Sequence, residues 1–242
     1  MRISQEKKEE TRRKLIDTAV EMIMEEGYQK ATMKKIAKAA GVGPATIYKY
    51  FPSKEKLLVG FYVQKARYAI EDLEAVDDFA EFSLKEKVQA LLEGYLEHLL
   101  VDREFAMKSL EMILNSASLV YSDTAPIKKE FKQVITRFLD EAEGKGEIAE
   151  MPFRDLVPEM LCHFVVGVLI YWSKDESEEF ADTTRMIDLS LELGYEVLSS
   201  GIINKSFDLG SFFLKSYFFR SMGSKGNLLQ KLVKAKTAFI AG

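Results

Sequence analysis

Between residues 30 and 60 the chain places two stretches too short to stand as independent helices on either side of Gly41-Val42-Gly43. Thr32 predicts an N-cap for a helix over Met33–Ala40, which Gly41 ends. Gly43 as N-cap and Pro44 at the first helical position open a second helix that reaches Tyr50. Two helices this short cross steeply only if small and apolar residues form their contact. Ala37 is the small residue that permits close approach, and Ile36, Ala40, Val42, Ile47 and Phe51 supply the shared core. Gly41 provides the positive φ that reverses the chain in so few residues. With those positions inward, the polar side chains of the second helix face out. In a helix-turn-helix that second helix enters the DNA major groove while the first crosses the backbone.

The rest of the chain reads as helix throughout, with no period-2 alternation long enough for a strand, so the expected fold class is all-α. A first helix is expected from Glu6 to Glu26, stopped by Gly27, and a fourth from Lys54, capped by Ser53, to about Leu73. Ser83-Leu84-Lys85-Glu86 is a capping box opening the next helix. Further helices are expected at 103–115, 126–143, 153–173 and 178–200, with two more in the tail at 207–222 and 226–240. Of the 242 residues 47% are hydrophobic, enough for a sizeable core, and 30% are charged. Cys162 stands alone, which rules out an intrachain disulfide and suits a cytoplasmic location. The charged first fourteen residues predict no secretory signal, and the strongest apolar run, Met160–Trp172, is shorter than the about 20 residues of a membrane span. Charge is unevenly placed: residues 1–65 carry a net of +6, residues 66–200 a net of −16 and residues 201–242 a net of +6. A basic head on an acidic body suits a head that meets a polyanion.

The stretch from Ala31 to Ala37 and the run Thr46-Ile47-Tyr48-Lys49-Tyr50-Phe51-Pro52-Ser53-Lys54-Glu55-Lys56-Leu57 resemble the DNA-binding domain of the tetracycline-repressor (TetR) family. The family pattern of threonine, aliphatic, tyrosine, any residue, aromatic or histidine, phenylalanine and then Ser-Lys-Glu is met from Thr46 to Glu55. Gly43 departs from it, standing where a serine is common and lacking the hydroxyl. Side-chain chemistry assigns roles within this frame. Thr32 and Lys34 reach phosphate, and Ala45, Thr46 and Lys49 offer base edges a methyl, a hydroxyl and an ammonium. Gly43 and Pro44 start the reading helix. The resemblance implies that Tyr48 and Tyr50 contact phosphate or pack on thymine methyls. Lys54 joins its charge to a helix N-terminus, a favourable pairing for phosphate. Taken one at a time, the tyrosines also fit as core and the lysines as a solvated face.

These features divide the chain into a helix-turn-helix domain at 1–52, a helical effector-binding and dimerisation domain at 53–200, and additional helices at 201–242. A module that reads few base pairs needs a two-fold partner on a palindromic double-stranded operator. Helix 153–173, apolar nearly all round and carrying Gly167, and helix 178–200, with Gly194, are the expected homodimer surface, though both also fit as plain core. The resemblance implies a pocket for a small apolar effector, with Tyr95, His98, Phe105, Met112, Phe131, Phe138, Phe164 and Trp172 as candidate lining. No cofactor, metal or membrane partner is expected. His98 and His163 lack metal-ligand spacing, and no phosphate-binding glycine loop or nucleophile–histidine signature marks an enzyme. The rival readings are an enzyme or a helix-turn-helix used for protein contact. The overall expectation is a ligand-responsive regulator, a repressor.

Overall fold

The computed structural model of the protein describes residues 4–115 and 125–216, and every regular element among them is helical. Helix α1 spans Gln5–Glu26, with the Ser4 hydroxyl accepting from the Lys7 N–H, and buries Leu15, Ile16, Ala19 and Val20. Helix α2 (Met33–Ala39) is capped by Thr32, whose Oγ1 accepts from the Lys35 N–H at 3.3 Å. It ends in a Schellman turn: the Gly41 N–H donates to Lys38 O and the Val42 N–H to Ala37 O, with Gly41 at φ +70°. Helix α3 (Pro44–Tyr50) follows at once. Ile36, Ala37, Ala40, Ile47 and Phe51 are all buried, so the small core expected for the crossing forms, with Val42 half-buried at its edge.

Helix α4 (Lys54–Glu74) belongs to both halves of the molecule. From Leu57 to Ala66 it is buried on every side, first by the head and then by the body. Gly60 is needed there, because a Cβ at this position would lie 2.6 Å from the Phe51 ring. The body comprises α5 (Leu84–Leu100), α6 (Arg103–Leu114), α7 (Ala125–Gly144), α8 (Leu156–Ser173) and α9 (Ala181–Ser199). The expected capping box opens α5: the Ser83 N–H donates to Glu86 Oε2 at 2.7 Å while the Ser83 hydroxyl accepts from the Glu86 N–H.

Two helices begin three residues later than their hydrophobic pattern suggests. Phe153 takes φ +61°, a left-handed conformation that no helix continues through, and Arg154 ties that turn back to Glu143 on α7 at 2.9 Å. Likewise Glu179 and Phe180 are left-handed, which leaves a short 3-10 turn (Glu178–Phe180) before α9. Asp175 holds this second corner through both carboxylate oxygens, accepting from Ser177 and from the N–H and hydroxyl of Thr183 in the first turn of α9. Burial alone would raise that carboxyl, but these hydrogen bonds outweigh it and hold it far below the usual carboxylate range.

A further helix, α10, occupies 202–216, five residues earlier than the first helix expected in the tail. The second expected tail helix, 226–240, lies outside the described residues. By length and composition α8, with 18 residues at a mean hydropathy of 1.6, would suffice for a short membrane span. Cys162, Val165, Val168, Leu169 and Trp172 nevertheless pack it into the chain's own core, leaving the other side bare.

Candidate nucleic-acid interface

Burying Ile47 turns the remainder of α3 outward. Pro44, Ala45, Tyr48 and Lys49 are exposed, and Thr46 and Tyr50 are half-buried beside them. Gly43 is also exposed and caps α3 without a side-chain bond. At φ −65° it needs no glycine, and a Cβ there would make only ordinary contact, 3.5 Å from Thr46 Oγ1. A serine would therefore fit without strain.

The supporting helix adds charge to this surface. Lys34 is exposed on α2, and Lys38, four residues on, shares its face. Among the described residues Lys34, Lys38 and Lys49 have no carboxylate or hydrogen-bond partner, whereas neighbouring Lys35 is paired with Glu26 at 2.6 Å. Lys38 was not among the residues singled out from the sequence. Its spacing from Lys34 was the signal that could have found it.

Two expected phosphate contacts are already engaged within the protein. Thr32 uses its oxygen as the α2 cap, leaving only the hydroxyl proton to donate outward. Lys54 turns back under the head: its Nζ donates to Tyr28 O and to Ala31 O (3.1 Å) and lies 3.8 Å from the centroid of the Tyr28 ring. Burial pushes its pKa down, against the pull of Glu55. Lys54 thus satisfies the carbonyls of the turn leading into α2, and Glu55 in turn accepts from the Tyr28 hydroxyl at 2.9 Å.

In the body the candidate effector residues do not converge on one cavity. Tyr95, Phe105 and Phe131 are buried together near Tyr62, with Met112 half-buried on α6. Phe105 stacks edge-on against Phe61 at 4.8 Å, and Tyr95 against Phe131 at 5.1 Å. The Tyr62 hydroxyl donates to Ala106 O at 2.6 Å and lies 3.0 Å from Ser109 Oγ. The Tyr95 hydroxyl is equally buried yet has no hydrogen-bond partner among the described residues. Burial, and next the neighbouring Tyr62, push its pKa well up. Phe138 packs at the other end of the body against Phe79. Trp172 lies beside Phe180, under the Arg103 guanidinium. His98 is on the outer side of α5, its Nε2 2.8 Å from Asp72 on α4. Phe164 alone lines an apolar groove of about 380 Å³ between α5, α7, α8, α9 and the start of α10, bounded by Val88, Met160, Leu193, Val197 and Ile203.

Comparison with known proteins agrees with this arrangement. Residues 15–60 match the family described as bacterial regulatory proteins, tetR family, and residues 87–213 match the tetracyclin repressor-like C-terminal domain. The fatty acid metabolism regulator protein of Bacillus subtilis is 30% identical over 192 residues, which cover 79% of this chain and 95% of the relative. Among solved structures, the fatty acid degradation regulator FadR of Bacillus halodurans is 25% identical with a TM-score of 0.55, covering 74% of this chain and 96% of its own. The transcriptional regulator FadR of Bacillus subtilis, solved in complex with stearoyl-CoA, is 26% identical with a TM-score of 0.54, covering 78% of this chain and 97% of its own. With a helix-turn-helix in the expected place and a matched C-terminal domain over half its length, the chain belongs to the TetR family of bacterial transcriptional regulators.

Proposed function

We propose that this protein is a cytoplasmic repressor that binds a palindromic operator as a homodimer and leaves it when an acyl-chain effector occupies the body. The observation that carries the DNA reading is the face of α2 and α3. There, among the described residues, Lys34, Lys38 and Lys49 stand without partners around the exposed residues of α3. In this reading the lysines of α2 hold phosphate, Thr46 and Lys49 read base edges, and Ala45 meets a thymine methyl.

The dimer reading rests on the bare sides of α8 and α9. Leu156, Met160, Gly167 and Tyr171 form one exposed stripe at helical spacing, and Leu189, Leu193 and Val197 form another. Met160 is 70% and Leu193 65% exposed, far beyond what a monomer leaves bare at two adjacent helices. A Cβ at Gly167 or Gly194 would meet nothing within 4 Å among the described residues, so the folded chain itself does not need them small. A partner helix approaching closely does.

The acyl class is supported by the relatives described above, one of which was solved with stearoyl-CoA. The unpartnered Tyr95 hydroxyl in its aromatic surroundings supports a site between α4, α5, α6 and α7 that takes one polar atom of an otherwise apolar molecule. Repression then lifts only if the effector prefers a body conformation that misaligns the two heads.

The decisive experiment selects bound fragments from genomic DNA and compares the selected operator with random DNA across a salt series. Thr46→Ala with Lys49→Ala is expected to reduce the preference for operator at least tenfold. Lys34→Ala with Lys38→Ala is expected to weaken both DNAs alike and to flatten the salt slope. A single asymmetric half-site bound by a monomer would overturn the reading.

A further inference from the structure

Head and body meet on α4, and two neighbouring side chains of that helix reach in both directions. The Arg67 guanidinium donates to one carboxylate oxygen of Glu130 on α7, from Nε at 3.1 Å and Nη2 at 2.8 Å. It turns Nη1 to Glu9 on α1 at 3.3 Å. The Tyr68 ring contacts the Arg13 guanidinium of α1, 5.1 Å from its centroid, and the His98 ring of α5, at 5.6 Å. One turn on, Glu71 pairs with Arg13 at 3.6 Å. Arg12 belongs to the same cluster: burial, and next the charge of Arg67, push its pKa down, while Glu9 and Glu130 pull it up. Its guanidinium lies 4.7 Å from the centroid of the Phe51 ring, at the end of α3. Four helices are thus tied at one level, about 20 Å along α4 from its first residue.

Stability does not account for this arrangement. The Arg67 and Glu9 side chains are about two-fifths exposed, and ion pairs so exposed add little to stability. Orientation does account for it. Phe51 packed on α4 at Gly60 seats the head, but apolar contact is non-directional. A planar guanidinium with partners on two other helices is directional. We propose that Arg67, with Glu9 and Glu130, is a positioning residue that fixes the angle of head on body and so the half-site spacing the protein accepts; the inference rests on the palindromic-dimer reading above. In a two-fold pair each head takes the same angle, so this clamp sets the separation and relative rotation of the two α3 helices. One extra base pair between half-sites moves them about 3.4 Å apart and turns them by about 34° around the DNA axis. Heads held at a fixed angle do not follow that change, whereas heads released from the clamp follow part of it.

Fluorescence anisotropy of the full chain tests this on three DNAs: the selected operator, the same operator with one base pair inserted at its centre, and random DNA. For wild type the insertion is expected to cost at least about tenfold in affinity. For Arg67→Gln and for Glu130→Gln the cost should fall below about threefold, with the melting temperature within about 3 °C of wild type. Arg67→Lys keeps the charge but loses the fork, and should fall between. Arg137→Gln removes another exposed α4–α7 ion pair, with Glu74, that does not involve α1, and should keep the full penalty. Variants at Arg67 and Glu130 that discriminate spacing as wild type does would overturn the proposal and leave the palindromic dimer standing. Equal losses on all three DNAs would make Arg67 a general DNA-affinity residue and overturn it too. A wild-type protein indifferent to the insertion would overturn the palindromic reading, and this proposal with it.

Discussion

The head and the body satisfy opposite halves of their chemistry. In the body nearly every cation near a core wall is paired: Lys65 with Asp102 at 2.7 Å, Lys87 with Glu141 at 2.5 Å, Lys132 with Glu159 at 2.7 Å and Arg137 with Glu74 at 2.7 Å. What the body leaves over is mainly apolar, along α8, α9 and α10, together with a few buried polar atoms, among them the Tyr95 hydroxyl and Arg103 Nε. In the head the apolar side chains close on one another, and the charge left over on α2 and α3 is cationic. Each region's function follows from its remainder. The head's remainder fits a polyanion, and the body's fits a second copy and an apolar ligand.

That contrast can be broken by substitution. The largest effect is expected at Phe51, which is fully buried against α4 and under the Arg12 guanidinium. Phe51→Ala should cost about 3–5 kcal/mol and abolish operator binding, because α3 loses its seat. Denaturant unfolding alongside a binding assay checks this, and operator binding retained at normal affinity would show that the head tolerates loss of its core. Next comes Asp175→Ala, expected to cost about 2–3 kcal/mol at neutral pH through lost charged hydrogen bonds. Because the native carboxyl is held below its unfolded value near 3.8, its contribution is full above about pH 4 and is lost as the pH falls below that. The gap between wild type and variant should therefore narrow when unfolding is repeated at pH 3.

The sign reverses at Tyr95. Tyr95→Phe removes a buried hydroxyl with no partner among the described residues and is expected to stabilise the free protein by about 1 kcal/mol while weakening binding of the proposed acyl effector, probed with stearoyl-CoA, about tenfold. A destabilised Tyr95→Phe would reveal an internal partner for the hydroxyl. Lys54→Met should cost about 1 kcal/mol by stripping a donor from Tyr28 O and Ala31 O, and should leave the salt slope of operator binding nearly unchanged. A slope reduced as much as by Lys34→Ala would return Lys54 to the DNA surface. Smallest is Gly43→Ser, expected to add a few tenths of a kcal/mol by supplying the missing cap. A melting temperature that falls instead would show that the space beside Thr46 is not usable.

The head was legible because its signals are local. Thr32, Gly41, Pro44 and Ser53 mark helix ends through their own backbone chemistry, and each helix end lies within one residue of where that chemistry puts it. What local chemistry does not encode is where a long side chain goes once the chain has folded. Lys54 reads as a phosphate contact from its place at a helix start, yet carbonyls 26 and 23 residues earlier in sequence claim it. The same limit applies to the body on a larger scale. Aromatic residues at helical spacing mark a core, but periodicity does not say which of them share a neighbourhood. Tyr95 and Phe131 do, while Trp172 and His98 lie elsewhere. The late starts of α8 and α9 depend on left-handed Phe153, Glu179 and Phe180, residue types whose identity gives no hint of that conformation.

One consequence of α4 concerns leverage. Its 21 residues make a rod about 31 Å long, seated in the body at one end and beneath Phe51 at the other. The Arg67 guanidinium on this rod bridges Glu130 on α7, at 2.8 Å, and Glu9 on α1, at 3.3 Å, so body and head grip it at the same point. A tilt of about 5° at the body end carries the far end through about 3 Å. In a two-fold pair the two heads move in opposite senses, changing their separation by about 5 Å against a groove repeat of about 34 Å. A displacement no larger than one side chain, deep in the body, is therefore enough to take both reading helices out of register with the DNA.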